Sequence, residues 1–218
     1  MNSSIIAGLT IVVLAVALVL GGFGAGAVFL GKNSAGVTTT ITKTTANSSS
    51  PYVVTLVIST LNIFNSTVGE MPSFYVLGPG GLESAAKISL PVNRTIELVI
   101  VNYDQGNGTL VQPNVNAVSG TTDGSVLVAS NSNINSSQGA SGIVIKGGQR
   151  VSSVPLAQVS HTFTVPNLNL NIPVPLGSTV VATFTIHKAG SFLWFCLIAC
   201  GDPAMAAPGW MRGSVSVS

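Results

Sequence analysis

The chain has 218 residues and a net charge of +2, and only 6% of its residues are charged, against about 25% in an average soluble domain. This balance offers no basic surface for nucleic acid and no acidic surface for a cationic partner. The polar residues are instead Ser, Thr, Asn and Gly. Such a surface suits an acidic exterior, where carboxylates would be protonated in any case.

An uncharged apolar segment spans Ile5–Leu30. About 20 apolar residues are enough to cross a bilayer. A cleaved signal peptide is the alternative, because Ala25–Ala27 has the small residues of a cleavage site. The apolar run is longer than the roughly 7–15 residues of a signal core, and no Lys or Arg precedes it. We therefore predict an uncleaved, single transmembrane helix as a membrane anchor over residues 1–32.

A Thr/Ser-rich tract follows over residues 33–50. Such a composition buries too little apolar surface to fold and is typical of a glycosylated stalk. Five Asn-x-Ser/Thr sequons lie in or after it, at Asn47, Asn65, Asn93, Asn107 and Asn135. Together with the stalk they favour a domain on the extracellular side of a cell membrane.

Residues 51–218 have the sequence pattern of a β protein. Short runs rich in β-branched residues, bounded by turn formers, predict strands at Tyr52–Thr60, Thr95–Asn102, Ser125–Ser130, Gly142–Ile145, Leu168–Val174, Ser178–Ile186, Ser191–Cys196 and Gly213–Val217. Pro173 ends the fifth of these patterns or marks an edge strand. Many short strands without helices between them predict an all-β sandwich or barrel. The Gly/Ser/Asn-rich stretch Gln105–Ser160, here called the insertion, reads as loops and edge strands without interpretable chemistry.

Both cysteines of the chain, Cys196 and Cys200, stand in one loop, and Met205 and Met211 follow them. Buried core filler and a disulfide are two structural interpretations of such a pair. Thiolate, thioether and imidazole together are the ligand set of copper, above all Cu(I). The loop therefore predicts either a structural cysteine pair or a copper site.

The chain has two histidines that could supply the imidazole. His187 precedes the strand that leads to Cys196, and that strand carries the chain about 17 Å away or more. His187 is therefore predicted to be a solvated turn residue, which also argues against a Cys2His2 zinc site. His161 opens a different strand, and spacing alone leaves its position relative to the loop open.

The segment "VSHTFTVPNLNLNIPVPLGSTVVATFTIHKAGSFLWFCLIACG" and the strand after it resemble, over Val159–Val217, the copper domain of cytochrome c oxidase subunit II. A histidine that opens a strand, a Pro/Gly turn and a hairpin into C-x3-C carry this resemblance. It implies a cupredoxin-like Greek-key β-sandwich behind a single membrane anchor. The Thr-rich stalk and the Gly/Pro/Met-punctuated loop also resemble sulfocyanin, the membrane-anchored blue copper protein of acidophilic archaea.

The oxidase resemblance implies ligands residue by residue. His161 matches the first histidine of the binuclear CuA site. Cys196 and Cys200 match the two bridging thiolates, and the backbone carbonyl of Ile198 matches the ligand between them.

The loop departs from the family after the second cysteine. Ala204 stands at the position of the second histidine and Ala207 at that of the weak methionine ligand. Met211 comes four residues later, and Met205 is the candidate replacement for the missing imidazole. A thioether has no proton to gain, whereas imidazole protonates near pH 6.5 and would release copper in acid.

Three interpretations remain open. A modified CuA-like site would use His161, Cys196, Cys200 and Met211, with Met205 replacing the histidine. A mononuclear site of sulfocyanin type would hold one copper. A copper-free structural subunit, as in quinol oxidases, would keep only the fold, with or without a disulfide.

The favoured prediction is electron transport in a respiratory chain. The partners implied are a redox donor protein or quinol and the core subunit of a terminal oxidase. No catalytic constellation appears in the chain alone. The sequence leaves the number of copper ions and the identity of the donor open.

Overall fold

The computed structural model describes residues 50–61, 63, 70–106, 109–110, 113–135, 144–145 and 147–218. The chain separates into two units, Met1–Ser50 and Pro51–Ser218. The predicted anchor and the stalk up to Ser49 lie outside the described residues, as do the sequons at Asn47, Asn65 and Asn107. Among the residues that are described, no helix combines the length and the apolar character that crossing a bilayer requires.

The described residues of the second unit form short strands and one short helix. In chain order they are β1 (Tyr52–Ser59), β2 (Ser73–Gly78), β3 (Gly81–Ser84), β4 (Lys87–Leu90), β5 (Thr95–Asn102), β6 (Thr109–Leu110), β7 (Val126–Ser130), β8 (Ile134–Asn135), β9 (Val144–Ile145), β10 (Gln149–Val151), β11 (Val159–Val165), β12 (Leu170–Pro175), β13 (Ser178–Thr185), β14 (Gly190–Phe195), β15 (Ile198–Ala199), α1 (Asp202–Ala206) and β16 (Arg212–Val217). Single 3-10 turns stand at Asn131–Asn133, Leu156–Gln158 and Pro166–Leu168. The predicted all-β class is confirmed.

Two main sheets form a sandwich. The larger sheet has the order β10-β7-β13-β5-β1-β2-β3, and the smaller one has the order β12-β11-β14-β16-β4. The chain passes between the sheets from β3 to β4, from β4 to β5, from β10 to β11, from β12 to β13 and from β13 to β14. Repeated crossing of this kind is typical of a Greek-key sandwich. One hydrophobic cluster fills the space between the sheets.

Burial along the strands follows the sequence pattern. β16 alternates between exposed or half-buried and buried residues, as expected for a strand with one face on the core. The C-terminal halves of β1 and β5 are buried at every residue, which agrees with their continuous apolar runs and central places in the larger sheet. β12, which contains Pro173, is the edge strand of the smaller sheet, so the prediction drawn from this proline is confirmed.

The insertion contributes more to the fold than the predicted loops and edge strands. β7 lies inside the larger sheet, between β10 and β13, so the prediction of edge strands was wrong for this element. β6 pairs with β15 in a separate two-stranded ladder. The insertion therefore extends the larger sheet through β7 and β10. Through β6 it also pairs with the cysteine loop.

Trp194 on β14 is the largest fully buried side chain. Its ring stacks on Phe163 with centroids 5.4 Å apart and meets Phe74 edge-on at 5.1 Å. The indole N–H donates to the carbonyl of Ala85 at 3.1 Å. Gly213 faces Trp194 across the β14–β16 pair, and a Cβ there would lie 2.5 Å from the indole nitrogen and 2.7 Å from the Ala85 carbonyl oxygen. The buried indole is therefore accommodated only by glycine at this position.

We expect Gly213→Ala to lower the free energy of unfolding by about 1–3 kcal/mol. The added methyl group would clash with a backbone carbonyl and a buried ring, and neither of these can move aside easily. Urea denaturation of the metal-free chain measures the change. Gly80→Ala is the matched control, since a Cβ at Gly80 meets nothing within 4 Å. The control should stay within about 0.5 kcal/mol of the parent. Equal effects of the two substitutions would contradict this account of the Trp194 packing.

Candidate metal centre

The smaller sheet brings the two halves of the site together. His161 lies on β11, and Cys196 directly follows β14. These two strands pair antiparallel, with Thr164 opposite Phe195 at the end of β14, so the part of β11 before Thr164, which includes His161, runs beside the residues that follow β14. A register shift in the β11–β12 ladder falls between Val159 and His161. Such an irregularity re-aims a side chain locally.

Three soft donor atoms meet in the interior. The His161 Nδ1 atom lies 3.9 Å from Cys196 Sγ and 3.3 Å from Cys200 Sγ, and the two sulfurs are 3.7 Å apart. The side chains are nearly inaccessible to solvent, with 2% of His161, 1% of Cys196 and 8% of Cys200 exposed. Both cysteines are free thiols, not a disulfide. Together with His161, they form the group of His, Cys, Asp or Glu side chains within the described residues that could hold a metal ion.

The triangle of donors has the size that a metal ion requires. The point equidistant from atoms with these three separations lies about 2 Å from each of them, close to the ~2.0–2.3 Å of metal–nitrogen and metal–sulfur bonds. Two thiolates and one imidazole match the donor preference of copper. The residues present therefore fit a copper ion without rearrangement.

Backbone groups of β11 and of the cysteine loop contact the sulfurs. The amides of Thr162 and Ile198 donate to Cys196 Sγ at 3.3 and 3.4 Å. The Cys200 thiol donates to the carbonyl of Ile198 at 3.3 Å. This places the Ile198 carbonyl, a sequence-predicted ligand, beside Cys200. Two N–H donors favour the thiolate form of Cys196, since hydrogen bonds to a charged group stabilise it.

Asp104 is a site residue that the sequence analysis did not identify. Its Oδ2 atom lies 2.9 Å from His161 Nε2, and 12% of its side chain is exposed. A carboxylate at Nε2 keeps the proton on that nitrogen and turns the lone pair of the neutral ring, at Nδ1, towards the sulfurs. Asp104 precedes His161 by 57 residues, so no local spacing in the sequence reveals the pair.

The turn that carries Asp104 is fixed at several points. Its Oδ1 atom accepts from the Gly106 amide at 2.8 Å, and its own amide donates to Asn102 Oδ1 at 2.9 Å. The buried Asn102 side chain donates to the carbonyl of Pro175 at 2.9 Å, and Asn131 donates to the carbonyl of Asn102 at 2.7 Å. The carboxylate is therefore held in place before any metal binds.

These contacts shift the pKa values of the metal-free site. Burial lowers the pKa of His161, but hydrogen bonds to Asp104 and Cys196, together with their charges, raise it to about 9. Burial opposes ionisation of Cys196, yet hydrogen bonds from Cys200 and His161 hold its pKa well below the usual value. The hydrogen bond to Cys196, followed by burial, raises the pKa of Cys200. Without metal, these shifts favour the charged forms of His161 and Cys196 and the neutral thiol of Cys200.

The methionines occupy different positions around this cluster. Met211 is fully buried, and its carbonyl accepts from the Cys196 amide at 2.8 Å while its amide donates to Ala204 at 3.1 Å. Met205 on α1 packs, half-buried, against the same hydrophobic core. Their roles as copper ligands stay predictions. A Cβ at Gly201 would lie 4.0 Å from the sulfur of Met71, so a methionine that the sequence analysis did not name borders the turn after Cys200.

His187 lies away from the site, as its spacing predicts. It is exposed, and its Nδ1 atom lies 3.0 Å from Asn93 Oδ1. Of the two histidines, His161 is therefore the one that lies with the cysteines in the candidate metal centre.

No protein-family model and no curated protein matches the sequence. Among solved structures, the chain is similar to the periplasmic domain of cytochrome oxidase subunit II (CoxB) of Bradyrhizobium japonicum, with 12% identity over 77% of this chain and 83% of that one and a TM-score of 0.34. Rusticyanin from Thiobacillus ferrooxidans shares 19% identity over 76% of each chain, with a TM-score of 0.30. A multicopper oxidase from Campylobacter jejuni shares 10% identity over 79% of this chain, with a TM-score of 0.39.

The chain spans about a third of that multicopper oxidase, with 31% of it covered. A subunit II domain is thus among the similar structures.

We expect Asp104→Asn to destabilise the metal-free chain by about 1–3 kcal/mol at pH 6, since it replaces a buried charged hydrogen bond by a neutral one. The pKa of His161 is raised from 6.5 to about 9 on folding. The contribution of His161 to stability is therefore complete below pH 6.5 and is lost as the pH rises through about 9. The effect of the substitution should accordingly shrink by pH 10.

Urea denaturation of both chains at pH 6 and pH 10 measures the difference. Asp123→Asn is the control, because Asp123 forms a solvent-exposed ion pair with Arg150 and such pairs contribute little. A loss of stability that is the same at both pH values would show that the charge on His161 is not involved.

Proposed function

We propose that the chain is a copper-binding electron-transfer protein of the oxidase subunit II type. The observation that carries the proposal is the convergence of His161 Nδ1 and the sulfurs of Cys196 and Cys200 on a single point. Copper bound there would supply reversible one-electron chemistry. The residues hold their donors in place, exclude water and connect the imidazole to a fixed carboxylate.

The donor set supports copper over zinc. Structural zinc sites take four ligands from Cys and His, whereas the described residues bring together one His and two Cys. The remaining soft atoms around the loop are thioethers of Met71, Met205 and Met211, and thioethers favour Cu(I). Burial of all three donors also leaves little room for a substrate, which supports electron transfer and argues against catalysis at the metal.

The scaffold supports the same function. His161 lies on β11, Cys196 directly follows the paired strand β14, and all three donor residues are buried. Donors held in this way move little when the charge of a bound ion changes, and small rearrangement favours rapid electron transfer. The exposed Gly201 follows Cys200 directly, so the site lies close to a surface from which a redox partner could exchange electrons.

The number of copper ions distinguishes the remaining interpretations. The donor triangle suits one ion, as in a mononuclear blue-copper protein. A binuclear CuA-like site would need further ligands, for which the Ile198 carbonyl, Met205 and Met211 are the candidates. The copper-free structural subunit is the outcome in which the cysteines bind no ion.

The test is reconstitution of the full-length chain with copper, followed by metal analysis, visible absorption and EPR spectroscopy. We expect an intense thiolate-to-copper band and at least one ion per chain. One ion with a four-line EPR signal indicates the mononuclear site, and two ions that share one unpaired electron indicate the CuA-like site. Absence of tightly bound copper with both thiols reduced would rule out the proposed function.

Matched variants assign the ligands. Cys196→Ser, Cys200→Ser and His161→Gln should each abolish or strongly change the thiolate band, because each removes one donor of the triangle. His187→Gln is the control and should leave the spectrum unchanged. Met205→Leu and Met211→Leu test the two thioethers, since loss of a ligating sulfur shifts the reduction potential whereas a packing residue changes only stability.

The cellular setting is part of the same proposal. The apolar segment Ile5–Leu30 would anchor the chain in the cell membrane, with the domain after residue 50 on the extracellular side. A donor protein or quinol would reduce the site, and the core subunit of a terminal oxidase would accept the electron. Protease treatment of intact cells tests the orientation: the domain should be released from the outside, and full protection would contradict it.

A further inference from the structure

A row of hydrogen-bonded polar side chains, two of them buried and one half-buried, runs from the cysteine loop to the insertion. It consists of Thr162 and Thr164 on β11 and Asn171 on β12, here called the polar relay. The two threonines are 0% and 6% exposed, although strand residues of this kind are usually half-exposed. Successive side chains of a strand point to opposite faces, so Thr162 and Thr164 lie together on the face opposite His161 and Phe163.

Every hydrogen bond in the relay has one possible direction. The Asn171 side chain contacts the carbonyl oxygens of Val115 and Ala117 at 3.1 and 2.6 Å, so the atom there is its Nδ2 donor. Its Oδ1 atom therefore accepts from the Thr164 hydroxyl, at 2.7 Å.

The direction continues through the two threonines. With its proton given to Asn171, Thr164 accepts from the Thr162 hydroxyl at 2.9 Å. Thr162 in turn accepts from the Leu197 amide at 2.8 Å. The relay thus runs without interruption from the cysteine loop, at Leu197, to carbonyl groups of the insertion.

We propose that Thr164 and Asn171 are positioning residues for the metal centre, through which the insertion fixes the conformation of the Cys196–Cys200 loop. Leu197 is the residue between Cys196 and Ile198, so the amide held by the relay belongs to the loop itself. The backbone amide of Thr162 also donates to Cys196 Sγ at 3.3 Å. A displacement of Thr162 would therefore move both the loop and a hydrogen bond to a donor atom.

A second contact of the insertion with the loop agrees with this assignment. Thr109 and Leu110 of β6 pair antiparallel with Ala199 and Ile198 of β15, between the two cysteines. The insertion thus contacts the loop on its backbone at Ile198–Ala199 and, through the relay, at Leu197. Segment 115–119 also pairs with β12 through the bridge of Ser119 and Asn171, which keeps the Val115 and Ala117 carbonyls over the relay.

A purely structural role is the alternative, and it makes a different prediction. Burial of hydroxyl and amide groups is unfavourable unless they are fully hydrogen-bonded, and β-branched apolar residues would fill the same strand positions. Hydrogen bonds in a row polarise one another, so loss of one weakens the next. Loss of the Thr164 hydroxyl should therefore weaken the hydrogen bond of the Leu197 amide, two hydrogen bonds away, more than it weakens hydrogen bonds in the rest of the sandwich.

The first experiment uses the metal-free, full-length chain and measures amide hydrogen exchange. In Thr164→Val, which keeps the side-chain shape and removes the hydroxyl, we expect exchange at Leu197 to accelerate about fivefold or more relative to the amides of β1 and β5. Thr164→Ser keeps the hydroxyl and should restore slow exchange. Thr183→Val, at a half-buried position of β13, is the control.

Two results would overturn the proposal. One is unchanged exchange at Leu197 in both Thr164→Val and Asn171→Leu. The other is acceleration by the same factor throughout the domain, which would show that these residues only stabilise the fold. Because copper is absent, this experiment decides the relay independently of the proposed function.

The second experiment rests on the proposed function and uses the copper-loaded chain. Thr164→Val and Asn171→Leu should shift the thiolate-to-copper absorption band and release copper to a chelator at least several times faster than Thr183→Val does. If the parent chain binds no copper, the proposed function fails while the exchange result still stands. If the parent binds copper and the variants match it in both spectrum and release rate, the relay does not position the metal centre.

Discussion

The antiparallel pairing of β11 with β14 is the constraint on which the rest of the site depends. His161 lies near the start of β11 and Cys196 follows the end of β14, so the pairing of these strands brings an imidazole and a thiolate together from positions 35 residues apart. The turn that returns from Cys196 to Cys200 then supplies the second sulfur. A slip of one residue in this pairing would turn His161 to the opposite face of the sheet and leave two cysteines without an imidazole.

Charge is scarce in this chain, and the protein places one of its six acidic residues directly behind the histidine. In a buried site a carboxylate at Nε2 has a large effect, because little solvent screens it. It orients the ring and raises the pKa of His161 to about 9 in the metal-free state. Binding of a metal must then displace a proton from Nδ1, so metal binding and proton release are linked at this site.

The insertion contributes both to the fold and to the site, although its composition alone predicts only loops and edge strands. A stretch rich in Gly, Ser and Asn supplies a strand inside the larger sheet, a two-residue ladder on the cysteine loop and the carbonyl acceptors of the polar relay. The Asn131 side chain from the same stretch also holds the turn that carries Asp104. Residues of the insertion thus support the donor atoms at two places, the cysteine loop and the turn that carries Asp104.

The sequence by itself determined the all-β class, about half of the strands of residues 51–218, the edge position of Pro173 and the exclusion of His187, because these follow from period-2 patterns and distances along one strand. It also singled out Cys196 and Cys200, and the family resemblance added His161. Only the tertiary structure decided that the imidazole meets both sulfurs, that Asp104 lies behind it and that the relay reaches Leu197. These contacts join residues 35 to 57 positions apart, and such pairs depend on strand register, which no local pattern encodes.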